Sequence, residues 1–333
     1  MSWSAREQVT QMVTGCWVTQ MLYVAAKLEL ADRLSDRPKS VSQLVEETGS
    51  HEESLHRLLR ALASVGIFEE MDDRHYRMTD MAEYLRKGHP QSLHAAVLMS
   101  GSTQQIWGEL FHSVQTGQSG FEKLRGKPWF DYLEDNGAEA AVFDQTMVST
   151  YGGENAAIAI SYDFNTFEEI VDVGGGNGSH LRGILRLHRN PQGVVFDLPH
   201  VVERAAEYLA SHGMAARCRT APGSFFEAVP PGASAYLLRH IIHDWDDEKS
   251  AIILGAIRRA IPAHGKLLVI ESVIQPGNRP AFVKLLDLAM LVFLGGKERT
   301  ESQYRELFAR SGFELTQVIP TPAGVHILEA VPV

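Results

Sequence analysis

The sequence predicts an α/β protein with two parts: a mostly helical N-terminal module, then a parallel, doubly wound sheet ending in an antiparallel C-terminal pair of strands. Three observations predict it. From residue 168 onward, short β-rich runs alternate with amphipathic helical stretches, which is the pattern of a parallel sheet wrapped by helices. The run "VDVGGGNGSH" at 171–180 places glycines between a strand and a helix. Residues 41–80 read as helix, turn, helix and hairpin.

The bulk properties set limits on these parts. A chain of 333 residues suits two domains and a large core. A hydrophobic content of 44% and a charged content of 22% describe an ordinary soluble globular protein. A net charge of −10 argues against nucleic acid and anionic membrane surfaces as partners. Cys16 and Cys218 lie far apart, so neither a disulfide framework nor a cysteine-rich metal site is expected. The first residues lack a basic region followed by a clean apolar run, and no run of about 18 apolar residues occurs anywhere. The expectation is a cytoplasmic protein.

In chain order, residues 10–34 are apolar at helical spacing around much of the circumference, which suits an arm packed into a second subunit as well as a core helix. Residues 40–70 read as two helices joined at Thr48-Gly49-Ser50. A Ser50-x-x-Glu53 capping box opens the second, with Leu55, Leu58, Leu59 and Leu62 on one face. A turn at Asp72-Asp73 between two short strands completes a winged-helix outline. Charge decides against DNA binding: residues 41–77 hold eight acids against four arginines, Arg57, Arg60, Arg74 and Arg77. The module is read as a dimerisation domain spanning residues 1–95. Residues 96–333 form the second domain, with a helical connection at 96–152 that contributes a pocket wall and an α/β core from about 153. Turn signals in the connection fall at Gly101, Gly117–Gly120 and Gly126–Pro128.

In the core, "EEIVDV", "GVVFDL", "SAYLLRHII" and "GKLLVIESV" read as strands, with helices near 178–188, 199–212 and 247–260. The C-terminal "FELTQVIPTPAGVHILEAVPV" reads as two strands around Pro320–Gly324, which leaves no room for a crossover and forces antiparallel pairing.

The glycine loop lets a ligand approach the backbone closely and offers helix N–H groups to its anionic part. A dinucleotide fingerprint fits Gly174 and Gly176 but meets Ser179 in place of its third glycine. Asp172-x-Gly174-x-Gly176-x-Gly178 fits an S-adenosylmethionine loop better, and Asp197 ends the second strand where a carboxylate would accept ribose hydroxyls.

The stretch "RHIIHDWDDE" at 239–248 carries the chemistry. If the strand runs through Ile242, His240 and His243 point to opposite faces, which disfavours a shared metal, and none is expected. Asp246 or Asp247 caps the following helix. His243 falls at the carboxyl edge of the sheet, where open α/β folds bind ligands. An imidazole there takes a proton near neutral pH without much tuning.

Together, "VDVGGGNG", "FDLPHVV", "LLRHIIHDWDDEK", "VIESVI" and "GGKERT" resemble the S-adenosylmethionine-dependent O-methyltransferases of the plant caffeate and acetylserotonin type, whose bacterial members modify aromatic natural products. The likeness covers nearly the whole chain, including the dimerisation module. It implies a Rossmann-like class I methyltransferase sheet, a homodimer, S-adenosyl-L-methionine as cofactor with S-adenosyl-L-homocysteine as product, and a phenolic acceptor on an aromatic small molecule. It implies cofactor contacts from Gly174, Gly176, Asp197, Leu198 beside the adenine, Phe225, Arg239 and His240. Ser224 stands where the family usually has an acid for the adenine amino group, and serine is a weaker acceptor. His243 matches the general base, Glu271 and Glu298 the two acids that hold its ring, and Phe143, Met147 and Met290 the acceptor pocket.

The implied chemistry is metal-independent, in-line methyl transfer. A phenol with a pKa of about 10 needs a base at pH 7. The alternative keeps fold and cofactor but methylates nitrogen, or hydroxylates, decarboxylates or rearranges its substrate. A DNA-binding regulator and a nicotinamide oxidoreductase are weaker readings, because of the acidic module and Ser179 respectively.

Overall fold

A computed structural model describes residues 3–333. The chain packs as two compact units, Met1–Gly108 with Phe130–Thr150, and Glu109–Trp129 with Tyr151–Val333.

The first unit opens with a helix, Ala5–Lys27, started by a Ser4–Glu7 capping box. Val9, Met12, Val13 and Trp17 on this helix are all exposed. Strands β1 (Lys39–Ser40), β2 (Phe68–Glu70) and β3 (His75–Met78) form an antiparallel sheet in the order β1-β3-β2. Helices Val41–Thr48 and Glu52–Ser64 turn at Gly49, whose φ of +67° suits glycine. Leu44, Leu55, Leu59, Leu62, Phe68 and Tyr76 bury the core of this unit.

The expected Ser50–Glu53 box does not form. The helix starts one residue later, with His51 as N-cap, its Nδ1 accepting from the Ser54 N–H at 3.3 Å. Glu53 therefore sits one position too early for the box and pairs with Arg74 at 2.7 Å. Arg77 is likewise taken by Glu69 at 2.7 Å, so two of the four arginines are neutralised inside the module. Helix His94–Ser102 packs on the first helix through Gly101, where a Cβ would lie 2.3 Å from the Tyr23 ring. Residues 96–108 and 130–150 thus group with the N-terminal unit, whereas the sequence reading placed them in the second domain.

The second unit is built on β4 (Glu169–Val173), β5 (Gln192–Asp197), β6 (Cys218–Pro222), β7 (Ala235–Arg239), β8 (Lys266–Glu271), β9 (Phe313–Pro320) and β10 (His326–Pro332). Their order is β6-β5-β4-β7-β8-β10-β9. The first five run parallel, and β10 is antiparallel to both β8 and β9, as the C-terminal pattern requires. β6 was not legible: "CRTAP" is short, charged and ends in proline, as an edge strand is free to be.

Helices cover both faces, so the central strands are buried all round. In β8, Leu267 and Val269 join one cluster while Leu268 and Ile270 join the other. The strand order reverses between β4 and β7, which puts the glycine loop, the end of β7 and the end of β8 side by side at the carboxyl edge.

Candidate active site

β4 delivers the chain into the glycine loop, where Gly174, Gly176 and Gly178 take φ of +71°, +55° and +78°. At Gly174 a Cβ would lie 2.5 Å from the Ile241 side chain and 3.6 Å from the Phe225 ring. Only glycine meets both demands there. The Gly176 N–H donates to Asp197 Oδ2 at 2.9 Å, and the Leu198 N–H to Oδ1 of the same carboxylate at 2.7 Å. Asp197 at the end of β5 is thereby aimed along the loop, with Leu198 exposed beside it. Ser224 Oγ accepts the Phe226 N–H at 3.3 Å, which shapes the turn carrying Phe225. Under the loop, Asp172 is fully buried with Oδ2 unpartnered, and burial pushes its carboxyl up to about 7.

β7 ends at Arg239, three residues earlier than expected. His240 turns left-handed, with φ of +52°, and Ile242–Asp244 form a 3₁₀ turn. The expectation that His240 and His243 face opposite ways therefore fails, because strand alternation stops before either residue. Their rings lie 5.2 Å apart at 32°. Donor atoms of His240, His243 and Glu271 fall within 4.8 Å of one another, so geometry does not keep them from sharing a cation. Neighbouring groups already occupy much of this set.

Glu271 ends β8 fully buried. Its Oε1 accepts the N–H groups of Ile241, Ile242 and His243 at 3.1, 3.0 and 3.3 Å, which fixes the turn. Its Oε2 lies 3.5 Å from His243 Nδ1 and 3.6 Å from His240 Nδ1. Glu298 supplies the closest contact to the ring, with His243 Nδ1 at 2.7 Å from Oε1. The segment carrying Glu298 is held by Lys297 N–H donating to His243 O at 2.9 Å. It comes that close because residue 296 is glycine: a Cβ would lie 2.2 Å from that same oxygen.

Burial opposes a charge on His243, but Glu271, Asp244 and Glu298 outweigh it and push the imidazole up to about 10. Burial would raise Glu271 too, yet His243 and His240 hold it below the usual carboxylate range. Glu298 goes the other way, raised by burial beyond what His243 returns. Asp244, pushed up to about 7 by burial, lies 3.4 Å from His243 Nε2.

A second cluster adjoins the first. Glu154 Oε2 accepts from Arg239 Nη2 at 2.8 Å and pairs with His240 Nε2 at 2.9 Å. Arg239 also donates to the Tyr151 carbonyl at 2.6 Å, and the Tyr151 ring lies over His240 at 4.1 Å.

Of the residues singled out in the sequence, Arg239, His240, His243, Glu271 and Glu298 converge, and Gly174, Gly176, Asp197, Leu198 and Phe225 gather at the neighbouring loop. Met290, half-buried on helix Phe282–Leu294, belongs to the same unit. Phe143 and Met147 share a face of helix Gly137–Tyr151 in the first unit. Glu154 and Tyr151 were missed because they lie in a helical stretch with no motif. Asp244 was overlooked although it follows His243 directly. Asp246, as expected, is the N-cap of helix Asp247–Ala260, accepting the Lys249 N–H at 2.8 Å.

Residues 107–314 match the O-methyltransferase domain family and residues 10–88 the O-methyltransferase dimerisation domain. The chain is 43% identical to phenazine O-methyltransferase from Lysobacter antibioticus, over 97% of this chain and 95% of that protein. It is 33% identical to aclacinomycin 10-hydroxylase of Streptomyces purpurascens, over 90% and 83%. An O-methyltransferase from neocarzinostatin biosynthesis, solved with S-adenosylmethionine and 2-hydroxy-5-methyl naphthoic acid, superposes with a TM-score of 0.87 at 32% identity, covering 95% of this chain and 96% of that one.

Asp172 generates a stability prediction. Its folded value is raised from 3.8 to about 7, so the folded state holds the proton longer than the unfolded chain. Stability without ligand should therefore fall as pH rises from about 4 to 7, by a few kcal/mol at most. Asp172→Asn should make this slope shallower in urea unfolding measured across that range, the remainder coming from other buried acids such as Asp244. An unchanged slope would mean that Asp172 is already ionised in the fold.

Proposed function

The chain belongs to the O-methyltransferase family, with the dimerisation domain of that family preceding its catalytic part, and from that premise we propose that it methylates a phenolic hydroxyl of an aromatic small molecule with His243 as general base. The methyl donor is S-adenosyl-L-methionine, and S-adenosyl-L-homocysteine is the product.

The residues at the carboxyl edge suit that donor. Gly174 and Gly176 open the backbone, Asp197 offers a carboxylate for ribose hydroxyls, and Leu198 and Phe225 offer apolar surface. The buried Oδ2 of Asp172 and Nε of Arg239 lack protein partners and have the acceptor and donor character that a zwitterionic amino-acid group requires. When bound, this cofactor supplies a sulfonium methyl already activated toward a nucleophile.

What the chain itself must do is position the acceptor and take its proton. One observation carries the base assignment: Glu298 holds His243 Nδ1 at 2.7 Å inside a buried pair. With Glu298 ionised, that contact takes the Nδ1 proton and leaves Nε2 as the nitrogen to receive a proton from the acceptor. Glu298 and Glu271 then stabilise the imidazolium that forms. Met290, in the same unit as His243, is proposed to contact the ring of the acceptor. The alternative is the same fold and cofactor used for N-methylation or for a non-methylating reaction, and one relative is a 10-hydroxylase by name. The intact His243–Glu298 pair favours deprotonation of a hydroxyl.

The N-terminal domain is proposed to form a homodimer. Val9, Val13 and Trp17 recur every fourth residue along the first helix, with Met12 beside them, and make an exposed apolar stripe.

Purified protein with S-adenosylmethionine and a panel of phenols, catechols and naphthols should give products heavier by one methylene unit, detected by mass spectrometry. His243→Ala should lower kcat by about 10²–10⁴-fold while keeping cofactor binding, and retained turnover would remove the base assignment. The pH profile tests the Glu298 pairing. Because that carboxylate helps raise the His243 pKa in the free enzyme, kcat/KM should climb on the alkaline side of neutrality. Glu298→Gln should lower the plateau and move the rising limb to lower pH, so an unmoved limb would exclude this pair as the titrating one. Trp17→Glu should convert the dimer to monomer in light scattering, and a monomeric parent protein would refute the dimer.

A further inference from the structure

We infer that Arg299 is the positioning residue that fixes the distance between His243 and Glu298; the inference rests on the reading of His243 as base. Arg299 is completely buried and the largest such side chain among the described residues. Its guanidinium reaches both ends of the turn that carries His243. Nη1 donates to Ile242 O at 2.9 Å and Nη2 to Trp245 O at 2.9 Å, the carbonyls of the residue before His243 and of the residue two beyond it. Nη1 also donates to Lys297 O at 3.2 Å, in the residue preceding Glu298. One rigid, planar group therefore ties the turn bearing the imidazole to the segment bearing its carboxylate partner.

The backbone of the same residue holds the third member. Arg299 makes an isolated parallel bridge with Val273, and its carbonyl accepts the Ile274 N–H at 3.0 Å. Those contacts lie just past the end of β8, where Glu271 sits. Arg299 thus stands at the junction of the three segments that carry His243, Glu271 and Glu298. Asp247 completes the clamp: its Oδ1 accepts from Nε at 3.0 Å and from Nη2 at 2.8 Å, while Ser250 Oγ accepts from Nη2 at 3.2 Å.

The arrangement exploits properties lysine lacks. An ammonium is a point donor on a flexible stem, and it cannot span two carbonyls and a carboxylate in one plane. Without the fork, the turn and the 297–299 segment still share the Lys297 N–H to His243 O bond and the His243–Glu298 contact that the clamp serves, but lose the bridge from Arg299. A displacement of about 1 Å at a reacting centre is enough for a 10²-fold loss in rate.

Arg299→Lys tests this on the whole enzyme with two independent readouts. In protein labelled with ¹⁵N-histidine, the downfield Nδ1–H resonance of His243, assigned by its loss in His243→Asn, reports the contact with Glu298 directly. Steady-state kinetics report its use. The expected result is a shifted or vanished resonance together with kcat about 10²-fold lower, while KM for S-adenosylmethionine stays within about 2-fold. An unchanged resonance in folded Arg299→Lys overturns the inference. A shifted resonance with unchanged kcat overturns it through its premise, since His243 would then not be the base, and the two failures are told apart. If Arg299→Lys does not fold, Asp247→Ala removes the outer carboxylate of the clamp from a half-exposed position. Lys297→Met serves as its control, because it removes only the ion pair that Asp247 Oδ2 makes with Lys297 Nζ at 2.5 Å. Asp247→Ala should move the same resonance and lower kcat in the same direction, by less; wild-type values for both would overturn the inference.

Discussion

The site depends on the difficulty of holding charge out of water. His243, Glu271 and Glu298 are each at most 4% exposed, and an ion in such surroundings loses solvation that its partner repays only with close geometry and no idle lone pairs. The surroundings meet much of that demand. Glu271 gives one oxygen to three successive backbone N–H groups, an anion nest formed by the turn itself. Glu298 takes the imidazole at 2.7 Å. The local backbone follows from these needs: β7 stops at Arg239, His240 goes left-handed and a 3₁₀ turn follows, because a continued strand would have pointed those N–H groups away from Glu271.

That solution is available only at one place in the sheet. The reversal of strand order between β4 and β7 leaves a crevice at the carboxyl edge, and the chain enters it three times, from β4, β7 and β8. The register sets how the partners meet. Arg239 pairs with Ile270, so the residues just beyond β7 and the last residue of β8 emerge together, which is why Glu271 meets Ile241–His243. The flanking helices bury the two faces, and two of them also lend a carboxylate beside the site, Glu154 to Arg239 and His240 and Asp247 to Arg299.

Much of this was legible in the sequence because it is written in local patterns. β-rich runs, the glycine loop and the antiparallel C-terminal strands each have a short-range physical cause, and so do the helix limits near 199–212 and 247–260. What escaped were features decided at a distance. The length of β7 is one: "AYLLRHII" is uniformly strand-like, and Glu271, remote in sequence, ends it at Arg239. The resulting turn reversed the inference about the His240 and His243 faces. The capping of the second helix is another, since Ser50 and His51 are both competent and the structure selects the later one. Glu154 and Arg299 were invisible for the same reason, because their importance lies in partners about 50 to 85 residues away.

The proton balance of the cluster also bears on how it works. On the proposed role for His243, an imidazole held up to about 10 is well matched to a phenol, whose own pKa is about 10, so proton transfer between them is close to isoenergetic. At neutral pH, however, such an imidazole is mostly protonated and unable to accept. Both facts come from one source, the carboxylates of Glu271, Asp244 and Glu298 around one ring. The same acids favour any cation brought into the crevice, and a cation near an imidazolium lowers its pKa. On the proposed role for His243, a positively charged methyl donor and the proton on His243 therefore compete for the same negative potential. By thermodynamic reciprocity, whatever affinity the proton costs the donor, the donor returns as a lowered pKa. An acid-rich site that overcharges its base in isolation is then consistent with efficient catalysis, because the ring is freed in the complex that needs it.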